Sequence, residues 1–178
     1  HVYDNAQVFG DTQVFDNAVV YGDAKVYDNA VLFGSAIVCD KAIVVNNARV
    51  CGNARVSDNA QVFGDALVFD IARVSGSAKV YGNATVYCKA QVYGNAQVFD
   101  DAQVYDNANI YGYVQVSGSA EIKKSSDYIV FKNWWSSGRY FTWTRSNNMW
   151  RVGCFYGTGK ELIAKAYKNS EISGKEYE

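Results

Sequence analysis

Few side chains in this 178-residue chain are equipped for chemistry. A general base needs a pKa near neutrality and reach to its acceptor, and the single histidine, His1, stands at the terminus. Cys39, Cys51, Cys88 and Cys154 show neither disulfide nor metal-ligand spacing and read as reduced thiols, and Cys154 has no histidine nearby to activate it. Phosphate loops, dinucleotide fingerprints and a Ser, His, Asp set are absent. No catalytic residue, metal ligand or cofactor is expected, which leaves binding. Arg55 and Arg73 lie 18 residues apart, each followed two positions later by a serine, Ser57 or Ser75. Guanidinium groups held that close repel unless an anion, a carboxylate or a partner intervenes, so this notch is a candidate site for an acidic group. A second candidate is Trp134, Trp135, Arg139 and Trp143, in a stretch of 17 residues that holds all four tryptophans.

The first of these sites is carried by a repeat. From Val2 to Ile122 every sixth residue is Val, Leu or Ile, 21 positions without a slip. Four residues after each comes a small residue, Ala in 18 of 20 cases, and between them sits a pair drawn mostly from Gly, Asp, Asn and Ser and suited to a turn. Ala-x-Val-x followed by two turn residues alternates with the period of a strand. A four-residue strand cannot bury its Ala and Val face alone, so the units must coil and stack into a filled tube.

This pattern resembles the left-handed parallel β-helix of the hexapeptide-repeat family, a triangular prism of three hexads per coil. The resemblance implies that residues n and n+18 stack and that 20 hexads make six to seven coils. It also implies an acyltransferase working as a trimer, with a histidine base between subunits and a loop extruded from the coils. This chain has only His1 and no interruption of the array, so transferase activity becomes the alternative reading.

The position after each Val is expected to face solvent, yet it is aromatic in 14 of 20 hexads. Sorted by face, the columns read Tyr3, Tyr21, Cys39, Ser57, Ser75, Tyr93, Tyr111; then Phe9, Tyr27, Val45, Phe63, Tyr81, Phe99, Ser117; then Phe15, Phe33, Cys51, Phe69, Tyr87, Tyr105. They should form stacked ladders, with Cys39 and Cys51 pointing outward and Cys88 at a turn. Contiguous apolar surface marks association, and Phe33, Ile37, Ile43, Val45, Phe63, Leu67 and Phe69 are the expected interface.

After residue 122 the pattern stops, dividing the chain into a solenoid, 1–122, and a tryptophan-rich α+β cap, 123–178. Strands are expected over 127–135, 139–145 and 149–155, with tryptophans in the cap core. One helix is expected over 159–169, from the Thr158 and Glu161 capping box. Gly153-Cys154-Phe155, Gly157-Thr158 and Glu161-Leu162 look like a C-terminal segment of hexapeptide-repeat proteins from bacteria and their phages, which admits a phage protein that blocks a host complex as a further alternative.

Through Ile122 the chain has 7 Lys and Arg against 13 Asp and Glu; the remainder has 10 against 5. The near-zero net charge argues against nucleic acid, and no apolar run suits a membrane. Opening at His1, already in register, suggests a trimmed start, and uncovered strand edges there are expected to be covered either by residues that have been lost or by end-to-end pairing. The reading is a non-catalytic interaction or scaffold protein, cytoplasmic, that presents its outward rings to itself, as a dimer or trimer, or to a protein partner.

Overall fold

The computed structural model describes residues 1–134 and 137–177. Twenty short strands recur every six residues from Gln7–Val8 to Glu121–Ile122. Each pairs in parallel with the strand 18 residues away, as Gln61 with Lys79 and Val62 with Val80. Three sheets result. The first face holds six strands from Val19–Val20 to Asn109–Ile110, preceded by a bridge from Val2 to Val20. The second runs from Gln7–Val8 to Gln115–Val116 and the third from Gln13–Val14 to Glu121–Ile122, with seven strands each. Together they make a β-solenoid of about six turns.

The strands span two residues instead of the expected four, because the chain must reach a corner every sixth residue. Hydrogen bonding nevertheless continues past them. On the first face the Val19 N–H donates to the Ala36 carbonyl at 2.9 Å and the Tyr21 N–H to that of Val38 at 3.1 Å. At the following corner the Asp23 N–H donates to the Asp40 carbonyl at 2.7 Å. Corners with a left-handed residue normally select glycine, yet Asp58 holds φ 60° and Asp40 φ 63°. The carboxylate offsets the strain by stapling the next coil: Asp40 accepts from the Asp58 N–H at 3.2 Å, and Asp58 from the Gly76 N–H at 2.9 Å.

Inside, Ala and Val fill the tube. Every inward residue from Ala18 to Ile122 is fully buried. Such density leaves no space for a larger side chain without displacing the opposite wall. Tyr128 closes this core at the C-terminal end.

The backbone gives the stack a direction. Each residue preceding Val turns both its N–H and its C=O toward the following coil, as His1 does in accepting from the Val20 N–H at 2.8 Å and Gln7 in donating to Ala24 at 2.9 Å. At the last coil a side chain from the cap meets one such group on each face. The Tyr128 hydroxyl donates to the Asn109 carbonyl at 2.9 Å; the Gln115 N–H donates to Thr142 Oγ1 at 3.1 Å; the Glu121 N–H donates to Ser146 Oγ at 2.7 Å.

Those side chains come from an antiparallel sheet of four strands, Tyr128–Lys132, Tyr140–Thr144, Met149–Val152 and Phe155–Gly157. Alternation sorts its residues. Tyr128, Tyr140, Thr142, Thr144, Arg151 and Tyr156 share the side that meets the solenoid, where Tyr140 stacks on Tyr113 at 4.5 Å. Phe131, Phe141, Trp150, Val152 and Phe155 share the other side, under α1 (Gly159–Asn169) and α2 (Glu171–Tyr177).

Three expectations for the cap need correction. The third strand stops at Val152, since Gly153 at φ 57° and Cys154 form a turn that sends Phe155–Gly157 back as a fourth strand. A second helix, α2, follows the expected one. The core is Phe141, Val152 and Leu162, and of the described tryptophans only Trp150 packs on it. Trp143 shares the Phe141 side of the sheet but is only half-buried, while Trp134 is 74 % exposed.

Candidate functional site: the ring ladders and their break

The outward rings stack as the 18-residue register dictates. Phe9 and Tyr27 lie 4.9 Å apart with planes 1° from parallel; Phe63, Tyr81 and Phe99 continue that face at 4.8 Å per step. On the third face Phe15 and Phe33 stack at 5.3 Å, and Phe69, Tyr87 and Tyr105 at 4.8 and 4.9 Å. Tyr93 and Tyr111 pair on the first. Most of the rings are half-covered by their neighbours and Phe99 is buried, which makes the ladders partly structural, while Tyr3, Phe9, Phe15, Tyr93 and Tyr111 remain exposed.

Two ladders end under a cation. The Arg151 guanidinium lies 4.7 Å from the Phe99 centroid on the second face, and Lys123 Nζ lies 5.3 Å from that of Tyr105 on the third. Ring faces carry negative quadrupolar charge and attract such groups.

All three ladders break together. Cys39, Val45 and Cys51 occupy the ring position in one coil, and Ser57 continues the interruption on the first face. Sorting the rings by face conceals this, whereas reading them along the chain shows four consecutive hexads without a ring. The break is resolved differently on each face.

On the first face the chain fills its own gap. Arg55 Nη2 donates to Cys39 Sγ at 3.1 Å and to the Tyr21 hydroxyl at 3.4 Å, so the guanidinium covers the thiol that stands in the ring position. Cys39 was expected to point into solvent, but it is fully buried, and it donates to Asp40 Oδ2 at 3.2 Å. Burial pushes its thiol up from the ordinary range, which favours the neutral, unreactive form. Asp40 is held below the usual carboxylate range by the Asp58 N–H and the Cys39 thiol.

Arg55 and Arg73 are register partners on adjacent strands, as anticipated. Their side chains part: Arg55 leans back over Cys39, and Arg73 is exposed in a shallow depression with Asn53, Ile71, Lys89 and Gln91. Ser57 is buried and Ser75 half-buried beside them.

The cap residues do not converge to the same degree. Trp134 carries Lys132 Nζ at 3.6 Å over its ring; Trp143 Nε1 donates to Asn148 Oδ1 at 3.0 Å. Arg139 lies over Gly153 and lines a small cavity of about 120 Å³ between sheet and helices. Trp135 lies outside the described residues. The seven expected interface residues are all half-buried and divide among the faces: Ile37 on the first, Ile43, Val45 and Phe63 on the second, Phe33, Leu67 and Phe69 on the third.

On the second face the gap is open. Val45 forms its floor, the free faces of Tyr27 and Phe63 its walls, and Ile43, Gln61, Asp28 and Asn46 its margins. On the third, Cys51 has Arg49 and Asp70 close by, and burial raises its thiol.

Among the described residues no helix is long and apolar enough to cross a membrane, and no group of three or more His, Cys, Asp or Glu is placed to hold a metal ion. A family model, the YdcK β-solenoid repeat, matches residues 48–62 and 102–118, two stretches that together cover well under half of the chain. Comparison with curated proteins and with solved structures found no match. The chain is a β-solenoid repeat protein that is similar over those stretches to the YdcK repeat.

Proposed function

We propose that this protein is a rigid display scaffold that binds a second copy of itself or a protein partner through its outward rings. The observation that carries this reading is the set of parallel ring ladders fixed on a completely filled core. A binding surface ordered in advance costs little entropy when a partner docks, and aromatic side chains supply large contact area with few rotatable bonds. Half-covered rings on a stiff prism meet both conditions. The apolar residues Ile43, Val45 and Phe63 extend the ring surface across the middle of the second face, as Leu67 does beside Phe69 on the third.

The test is sedimentation equilibrium over a wide concentration range on the wild type and on a Phe63→Gln, Phe69→Gln double variant, with far-ultraviolet circular dichroism to verify that the solenoid persists. Concentration-dependent association that disappears in the variant supports self-recognition. If both proteins remain monomeric, the same pair goes into a pull-down, and a partner retained by wild type and lost by the variant supports the second form. A partner retained equally by both refutes a role for the rings.

A further inference from the structure

The break in the second ladder has the dimensions of the group it lacks. Tyr27 is stacked on one side by Phe9 and Phe63 on one side by Tyr81, so each turns one bare face toward the level of Val45. Two coils separate them, about 9.6 Å at the usual interstrand spacing. A flat group placed midway would lie close to the same distance from each ring as the ladder's own 4.8 to 4.9 Å steps. Valine is too short to bridge that distance and instead makes an apolar floor.

The charge around this slot selects among flat groups. On the first face the corresponding position is covered by the chain's own Arg55, and the upper ends of the second and third ladders are closed by Arg151 and Lys123. Two ladders thus end in a cation over a ring face, and on the first face a cation reaches the Tyr21 hydroxyl. At Val45 there is none: the lining contains no Lys or Arg, and its one charged member is the Asp28 carboxylate. Asp28 Oδ2 accepts from Asn46 Nδ2 at 3.0 Å, which holds it at the corner beside the slot. The third-face gap differs because Arg49 already stands beside Cys51.

We infer that the Val45 slot receives one planar cation, the guanidinium of an arginine side chain on a partner protein, sandwiched between Tyr27 and Phe63 with its edge toward Asp28. This rests on the display reading and names the partner chemistry for one of its faces. A guanidinium is flat, stacks on aromatic faces and donates from its edge to a carboxylate, whereas an ammonium can do only part of this. The acidic balance of the solenoid, 7 basic against 13 acidic residues through Ile122, favours the same sign of partner.

N-acetylarginine amide is the probe, titrated into the whole protein while NMR follows the ring signals of Tyr27 and Phe63. Saturable shifts at those two rings are expected, with those of Tyr87 and Tyr105 unchanged. The lysine amide should bind more weakly. Val45→Phe completes the ladder without touching the core, so it should fold as the wild type does and lose the response altogether. Asp28→Asn keeps a residue that tolerates the left-handed corner and should weaken binding roughly two- to fivefold. Unchanged titration of Val45→Phe overturns the slot. Equal binding of N-acetylphenylalanine amide, with no effect of Asp28→Asn, overturns the cationic assignment in favour of a neutral ring. Either failure, together with loss of association in the Phe63→Gln, Phe69→Gln protein, leaves the display reading standing; failure of both sets removes it.

Discussion

The solenoid and the cap solve the same problem by opposite means. In the solenoid every inward residue is Ala, Val or a close relative, every strand pairs with one 18 positions away, and no single side chain is indispensable. In the cap, 50-odd residues cluster around Phe141, Val152 and Leu162, and a few polar side chains make the connection to the last coil. Repetition spreads stability along a line, whereas the cap concentrates it at a point. Damage should therefore be local and graded in the first region and abrupt in the second.

The sharpest way to break this comparison is Phe141→Ala. A buried phenylalanine truncated to alanine costs about 3 to 5 kcal/mol, enough to unfold a small module. We expect the near-ultraviolet signal of the cap tryptophans to collapse while the β-sheet signal of the solenoid survives; simultaneous loss of both would show that the two regions fold as one unit. Next in size is Thr142→Val, which keeps the shape but leaves the half-buried Gln115 N–H without its acceptor, at about 1 to 3 kcal/mol. Hydrogen exchange should accelerate at Gln115 and its neighbours in the last coil, and remain unchanged near Val62.

Tyr128 supplies a pH-dependent version of the same test. Burial, with Tyr111 and Tyr93 nearby, raises its phenol to about 12 from an ordinary value of 10. Since the folded protein favours the neutral phenol, the contribution is fully present below pH 10 and is lost as the pH rises toward 12. Thermal unfolding should show the cap loosening across that window in wild type. Tyr128→Phe should cost about 1 kcal/mol at neutral pH through the bond to Asn109 and should abolish this group's share of the alkaline loss. The smallest effect belongs to the solenoid. Asp58→Asn retains an acceptor for the Gly76 N–H and a residue at ease at positive φ, so a change within about 0.5 kcal/mol is expected by denaturant titration.

Much of the solenoid could be read before any coordinates because its rule is local and periodic. The burial of Val62, the pairing of Gln61 with Lys79 and the stacking of Phe63 on Tyr81 follow from one register. What escaped were departures decided by neighbours. Cys39 occupies an outward position, but Arg55, 16 residues later, reaches back to cover it, and nothing in the hexad pattern reports a side chain's direction along the stack.

In the cap the missed elements were hidden by glycine. Gly153 divides what alternates like one strand into two. Gly174 makes α2 a poor helix by propensity, yet an added Cβ there would collide with the Tyr167 ring, so the residue that weakens the helix locally is the one that lets it dock. The Val45 slot needed both views: the ring-free hexads are in the sequence, but the acidic margin and the competing Arg55 become apparent only in three dimensions.

The 18-residue register also makes length itself a coded quantity. Removing one whole coil, such as residues 55–72, would shorten the prism by one interstrand step of about 4.8 Å and return every later residue to its own face. Removing a single hexad would instead shift each later strand to the neighbouring face, so that the cap, keyed to the backbones of Asn109, Gln115 and Glu121 and to the Phe99 ring, would arrive a third of a revolution out of phase with the rings below. Such a chain tolerates insertions and deletions modulo 18, a reading frame written in side chains, and the ladders are where a slip of that frame would first show.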